Sequence, residues 1–228
     1  MTRSQREWDR AAYSPAEVGR LVDLTPNRVR RWLKGYAYRY DTTTHFQRPV
    51  IHRTTDAEVG YASFLELVDL LFVKRFLAHG LSLQKVRKAL DEASRILDTD
   101  HFARRSFFTD GSNIYLQVKE VADSLLELLS GGQWVIAPII QELAAQIDFD
   151  SPTGLARRWY PMGQAGLVVL DPLISFGRPT VVGRGIATAN VYDFFLAENR
   201  RMERACSWFS LELQEVRAAV QFEERLAA

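Results

Sequence analysis

Residues 13–35 read YSPAEVGRLVDLTPNRVRRWLKG, and that stretch spells two helix starts in close succession. Ser14 is a capping residue, Pro15 suits a first helical position, and Glu17 stands three residues after Ser14 as in a capping box. Val18, Leu21 and Val22 follow at helical spacing. Thr25-Pro26 repeats the start signal, Val29, Trp32 and Leu33 form the apolar face of the second helix, and Gly35 is its stop. Two short helices around a tight turn at Asp23-Leu24 predict a helix-turn-helix. The polar face of the second helix carries Asn27, Arg28, Arg30, Arg31 and Lys34.

The pattern changes just beyond. Tyr36, Tyr38 and Tyr40 alternate with Ala37 and Arg39, which is a strand period. Residues 41–44 then predict a turn, and Phe46 to Ile51 a returning strand that Pro49 restricts to an edge. A β-ribbon after a helix-turn-helix is a wing. Its Tyr38 and Arg39 are expected either to brace the wing or to contact a nucleic-acid backbone. Ser63 opens an apolar helix that ends near His79-Gly80, and Ser82 caps another with Leu83, Val86 and Leu90 in step. A hairpin is expected about Asp110-Gly111, and helices over 120–129 and about 138–147. Residues 148–166 hold Pro152, Gly154, Pro161, Gly163 and Gly166 without helical period. A short strand over 167–170, a turn-rich stretch, and helices over 188–196, 198–206 and 210–226 complete the chain.

The fold expected is therefore mainly α. A winged helix-turn-helix spans residues 1–100, and a hairpin with helices spans 101–150. A linker runs over 151–166, and a small helical module with its own helix-turn-helix occupies 167–228.

Composition narrows the function. The 228 residues are 47% hydrophobic and 11% aromatic, enough for two small cores. The net charge of +1 hides an asymmetry. Residues 1–53 hold 11 Lys and Arg against 5 Asp and Glu, whereas residues 54–152 hold 9 against 15. A basic end over a helix-turn-helix points to double-stranded DNA. In that reading Thr25, Asn27, Arg28, Arg30, Arg31, Lys34, Tyr38 and Arg39 are the nucleic-acid-binding residues. Cys206 is the sole cysteine, read as a small buried hydrophobe, so no disulfide forms within the chain. The histidines, His45, His52, His79 and His101, make no metal-binding spacing and are read as surface or capping groups, with His79 suited to a helix C-terminus. No metal, no cofactor and no catalytic constellation is expected, and the chain is read as not an enzyme. With no apolar leader and no membrane-length apolar run, it is placed in the cytoplasm without a membrane partner. The apolar helix from Phe64 to Leu77 has more apolar surface than one face needs, which favours a homodimer, as expected for a protein reading two half-sites.

Two resemblances bear on function. Residues 13–18 and 24–32, Phe64-Leu65-Glu66-Leu67-Val68 and Gly80-Leu81-Ser82-Leu83-Gln84-Lys85-Val86-Arg87 resemble a MerR-type winged helix-turn-helix with the helix pair behind its wing. Val169-Leu170-Asp171-Pro172, Phe176-Gly177-Arg178-Pro179, Thr188, Trp208 and Val216 to Phe222 resemble a small helix-turn-helix module of bacterial antitoxins. This chain reads Gly183-Arg184-Gly185 where that module usually reads Gly-Thr-Arg. Together, with the joining segment from Ala156 to Pro161, they resemble a VapB-like type II antitoxin. That resemblance implies binding to the chain's own operator DNA and neutralisation of a VapC-type PIN-domain ribonuclease toxin. Arg157, Arg158, Trp159, Arg217 and Arg225 are the candidate toxin-binding residues, arginine and tryptophan being the usual anchors of interfaces. The alternative is a one-component MerR-type transcription regulator that senses a small organic effector.

Overall fold

The computed structural model describes residues 11–51, 60–97, 101, 103 and 142–227. The chain divides into two compact units. One comprises residues 1–144 and 149–156, the other residues 145–148 and 157–228.

The first unit opens with β1 (Ala11–Tyr13), α1 (Pro15–Val22) and α2 (Pro26–Lys34). The caps form as the sequence expects. Ser14 Oγ accepts the Glu17 N–H at 3.2 Å while Glu17 Oε2 accepts the Ser14 N–H at 2.7 Å, and Thr25 Oγ1 accepts the Arg28 N–H at 3.3 Å. Each cap satisfies amide donors that a helix start leaves open, worth about 1 kcal/mol apiece.

The turn between the helices is tight. Asp23 is left-handed (φ 52°), and the Leu24 N–H reaches back to the Gly19 carbonyl at 2.8 Å. A Cβ on Gly19 would sit 2.4 Å from the Leu24 carbonyl oxygen, so glycine permits the close approach.

The ribbon expected as a wing is β2 (Tyr36–Tyr40) paired antiparallel with β3 (Thr43–Gln47), Tyr38 facing His45 and Tyr40 facing Thr43. The returning strand thus starts earlier than the sequence predicts and ends before Pro49. Left-handed Asp41 (φ 55°) lets Asp41-Thr42 alone close the turn. Val50 and Ile51 are instead buried, their N–H groups on the Trp32 carbonyl at 2.8 and 3.3 Å, which caps the end of α2.

β4 (Ala62–Ser63) pairs with β1 and leads into α3 (Phe64–Ala78), followed by α4 (Leu83–Leu97). Helix α3 is buried from Phe64 to Val73, so its all-round apolarity is consumed within the chain rather than left as a free face. Two of its buried positions are acidic, each for a reason. Glu66 completes the Ser63 capping box. Asp69 accepts the Ala103 N–H at 2.8 Å and pairs with His101 Nδ1 at 2.7 Å. Burial pushes the Asp69 carboxyl up, and His101 pulls it back. His101 is thereby buried, not the surface or capping group the sequence suggests. His79 does cap, its Nδ1 2.9 Å from the Arg75 carbonyl. The hairpin expected at 110–118 and the helix at 120–129 lie outside the described residues.

A four-stranded sheet runs in the order β5 (Ile147–Phe149), β6 (Ala156–Trp159), β7 (Val168–Leu170) and β8 (Pro179–Val181), and all of it but Phe149 and Ala156 belongs to the second unit. Ile147 begins a strand rather than ending the helix expected there, and the stretch read as a linker contains β6. Helices α5 (Thr188–Ala197), α6 (Met202–Phe209) and α7 (Leu213–Ala227) follow. Val181, Val191, Phe195, Ala205, Leu211, Val216, Ala219 and Val220 form a core with Cys206 packed against it. Burial raises the Cys206 thiol above its usual range, which suits a packing residue rather than a nucleophile. No helix among the described residues is long and apolar enough to cross a membrane.

Candidate nucleic-acid interface

Helix α2 divides its residues by chemistry. Val29, Trp32 and Leu33 are buried, while Thr25, Asn27, Arg28, Arg30 and Arg31 are exposed and Lys34 half-buried. Apolar residues at three- and four-residue spacing must face the core, and this leaves the cations no direction but outward. The helix holds no acidic residue. Its two ends are fixed independently of any ligand, by the Thr25 cap and by the Val50 and Ile51 N–H groups on Trp32.

Aromatic rings hold two of the arginines. The Arg31 guanidinium carbon lies 3.6 Å from the centroid of the Tyr36 ring, and that of Arg28 lies 5.9 Å from Trp32. Stacking of this kind orients a guanidinium while leaving its N–H edges free to donate. Thr25, Asn27, Arg28, Arg31 and Tyr36 line a depression of about 280 Å³ with Trp32 and Leu83. The wing joins α2 without slack. Gly35 is left-handed (φ 72°), and a Cβ there would come within 2.3 Å of the Gln47 carbonyl oxygen. Tyr38 and Arg39 are exposed on β2.

Helices α3 and α4 set this assembly in place. Lys74 Nζ donates to Asp23 Oδ2 at 2.8 Å, tying α3 to the turn and holding the Asp23 carboxyl below the usual range. From α4, Asp91 pairs with Arg48, and Arg87 Nη2 donates to the Arg48 carbonyl at 3.3 Å.

The five residues expected at a toxin interface fall into two groups. Trp159 is 3% exposed in the sheet, opposite Leu170. Arg158 Nε donates to buried Asp171 at 2.7 Å, which raises the guanidinium's affinity for its proton. Both side chains are engaged inside their unit. Arg157 is half-exposed, while Arg217 and Arg225 stand exposed on α7, Arg225 over the Phe222 ring at 5.1 Å. Trp208 of α6 is a candidate that the sequence reading did not assign to an interface. It is 70% exposed, its ring stacked on Phe194 with centroids 5.3 Å apart. Helical spacing does not announce this exposure, since Trp208 stands three residues after buried Ala205 and shares its side of α6.

The displaced arginine of Gly183-Arg184-Gly185 is also engaged. Arg184 makes a two-point contact with Glu215 at 2.8 and 3.3 Å, which lowers the Glu215 carboxyl and raises Arg184. Among the described residues no three His, Cys, Asp or Glu side chains gather to hold a metal.

No protein-family model matches the chain. It is 24% identical over 196 residues to a Mycobacterium tuberculosis protein whose name marks it as a candidate antitoxin, VapB45, across 81% of this chain and 82% of that one. The crystal structure of Rv2018 from the same organism superposes with a TM-score of 0.65 at 21% identity, across 93% of this chain and 99% of that one. The fold described above is thus one already seen in a mycobacterial protein.

Proposed function

We propose that this chain is the antitoxin of a type II toxin–antitoxin pair, binding its own promoter duplex through α2 and the wing and neutralising a PIN-domain ribonuclease through another surface. It is read as a regulator and not an enzyme. The observation that carries the DNA half is the segregation of α2, whose outer face is Asn27 and cations, held by caps that need no ligand. An α-helix fits the major groove, where arginine reads guanine edges and asparagine reads adenine, while lysine and arginine neutralise phosphates. Arg39 and the Tyr38 hydroxyl are assigned to the backbone beside the groove.

The toxin half is supported by the likeness to VapB45 over four-fifths of both chains. Exposed Arg217, Arg225 and Trp208 are the residues assigned to docking, with Arg157 at its margin. Binding to two half-sites calls for a twofold dimer, and because the apolar sides of α3 are covered within the chain, the dimer contact belongs to another surface.

The test is a titration of duplex DNA from upstream of the gene, with the chain alone and with the product of the adjacent gene, alongside a growth assay. A complex that retards the duplex, with a neighbour toxic alone and harmless with this chain, is the expected result. Absence of a complex with the neighbour overturns the antitoxin half, and absence of a duplex shift overturns the DNA half.

A further inference from the structure

The wing carries more aromatic surface than a brace needs. Tyr36, Tyr38 and Tyr40 alternate along β2 and so share one side of the ribbon, where His45 of β3 joins them. Their rings form a row. Tyr36 lies 6.1 Å from Tyr38, Tyr38 is stacked on His45 at 5.5 Å, and Tyr40 meets His45 edge-on at 6.4 Å. The row begins at the Arg31 guanidinium. Tyr38 is 43% and Tyr40 74% exposed. Rings that closed a core would be buried. A contiguous exposed patch of this kind marks a contact surface.

The charge around the row decides among occupants. Arg31 stands at its inner end, and Asp41 at the tip is the one acidic residue in residues 24–51, while Arg39 between the two outer rings belongs to the other side of the ribbon. That favours a polyanion. Within a duplex the base faces are closed by their neighbours and only edges reach the grooves. Unpaired bases offer their faces, and exposed aromatic rings on a sheet are a known way to take them.

We propose that the aromatic side of the wing is a stacking surface for single-stranded DNA, with Tyr38 and Tyr40 as its platforms and Arg31 receiving the adjoining phosphate. The inference rests on the nucleic-acid reading of α2, and the experiment separates the two. Fluorescence anisotropy of the full chain would be measured with a labelled oligothymidylate of about fifteen nucleotides, the matching oligouridylate and the promoter duplex. Removing the ring at the tip (Tyr40→Ala) is expected to weaken oligothymidylate binding at least about fivefold and duplex binding less than about twofold. Tyr40→Phe, which keeps the ring, is expected to bind as the parent does, and both variants should melt with it. The proposal is overturned if the parent binds duplex but not oligothymidylate, if Tyr40→Ala binds the single strand unchanged, or if duplex affinity falls by the same factor. It is equally overturned if Tyr40→Phe behaves as Tyr40→Ala, or if oligouridylate binds more tightly than oligothymidylate. Loss of duplex binding by the parent would instead remove the reading of α2 beneath it.

Discussion

The α1–α2 pair of the first unit and the α6–α7 pair of the second are the same local device put to different use. Each begins with an eight-residue helix and turns on a left-handed residue, Asp23 at φ 52° and Ser210 at φ 53°. In each, the next residue's N–H returns to a carbonyl five residues back, Leu24 to Gly19 at 2.8 Å and Leu211 to Cys206 at 3.0 Å. In each, the second helix then starts on an equivalent bond, Val29 to Thr25 and Val216 to Glu212, both at 3.1 Å. What differs is the outward chemistry. The charged side chains that α2 exposes are all cationic, whereas α7 mixes Arg217 with Gln214, Gln221 and Glu224. Backbone geometry does not distinguish the two pairs; the sign of the exposed side chains does.

The widest separation between the two pairs is expected in duplex affinity. Arg30→Ala with Arg31→Ala removes two cations from the outer face of α2 and is expected to weaken promoter binding about a hundredfold at moderate salt. Arg217→Ala with Arg225→Ala removes as many from α7 and is expected to change it less than about threefold. Equal losses in an anisotropy titration would show that both helix pairs hold DNA and end the contrast.

A second separation lies in the turns. The residue whose carbonyl closes the turn is glycine in the first unit and cysteine in the second. Gly19→Ala forces a methyl against the Leu24 carbonyl at 2.4 Å and is expected to cost about 1–3 kcal/mol. Cys206→Ala leaves a backbone that already accepts a Cβ and removes one half-buried sulfur, for about 1 kcal/mol or less. Denaturant unfolding of the two variants checks the order.

How much of this was legible follows from sequence distance. The caps at Ser14, Thr25 and Ser63 act over three residues, so the string of letters displays them, and the alternation of Tyr36, Tyr38 and Tyr40 displays the wing. Gly19 looks like a mere weak point in a helix until the turn closes and brings Leu24 against it. The Asp69–His101 pair spans 32 residues and Arg184–Glu215 spans 31, and no local pattern announces either. Strand β6 hides because Arg157-Arg158 between turn-forming flanks resembles a linker. Arg158 is held there by Asp171, 13 residues on. The same distance effect bears on Arg158 and Trp159, which look like surface anchors in the sequence until the sheet takes them in.

The third position of each second helix sharpens the contrast further. Helix α7 has Glu215 there, whose carboxylate accepts the Glu212 N–H at 2.7 Å, while α2 has Arg28. A cation near a helix N-terminus opposes the dipole, so α2 gives up a stabilising cap in favour of an exposed guanidinium. Arg28→Glu would complete a capping box with Thr25. It is expected to raise stability by about 0.5–1 kcal/mol while lowering duplex affinity at least about tenfold. A variant that gained stability and kept its affinity would show that Arg28 has no part in binding.

The smallest expected effect is the acid sensitivity of that same Glu215. Its hydrogen bonds from Arg184 hold the carboxyl below the usual glutamate range, so the folded chain releases this proton more readily than the unfolded one. The stabilisation is therefore complete at neutral pH, where both states are ionised. It drains as the pH falls through the ordinary glutamate range, near 4.3, towards the depressed value in the fold. Arg184→Ala removes the partner, and because Arg184 is partly exposed the difference from the parent is expected to be small. That difference should be constant from about pH 7 to 5 and should shrink below about pH 4. In the first unit the depressed carboxyl is Asp23 at the turn, held by Lys74 and untouched by this substitution, so the change that Arg184→Ala makes in acid loss should be confined to the second unit. Hydrogen exchange at about pH 4 on the parent and the variant reads this directly, and a change in the opening of α2 rather than of α7 would refute it.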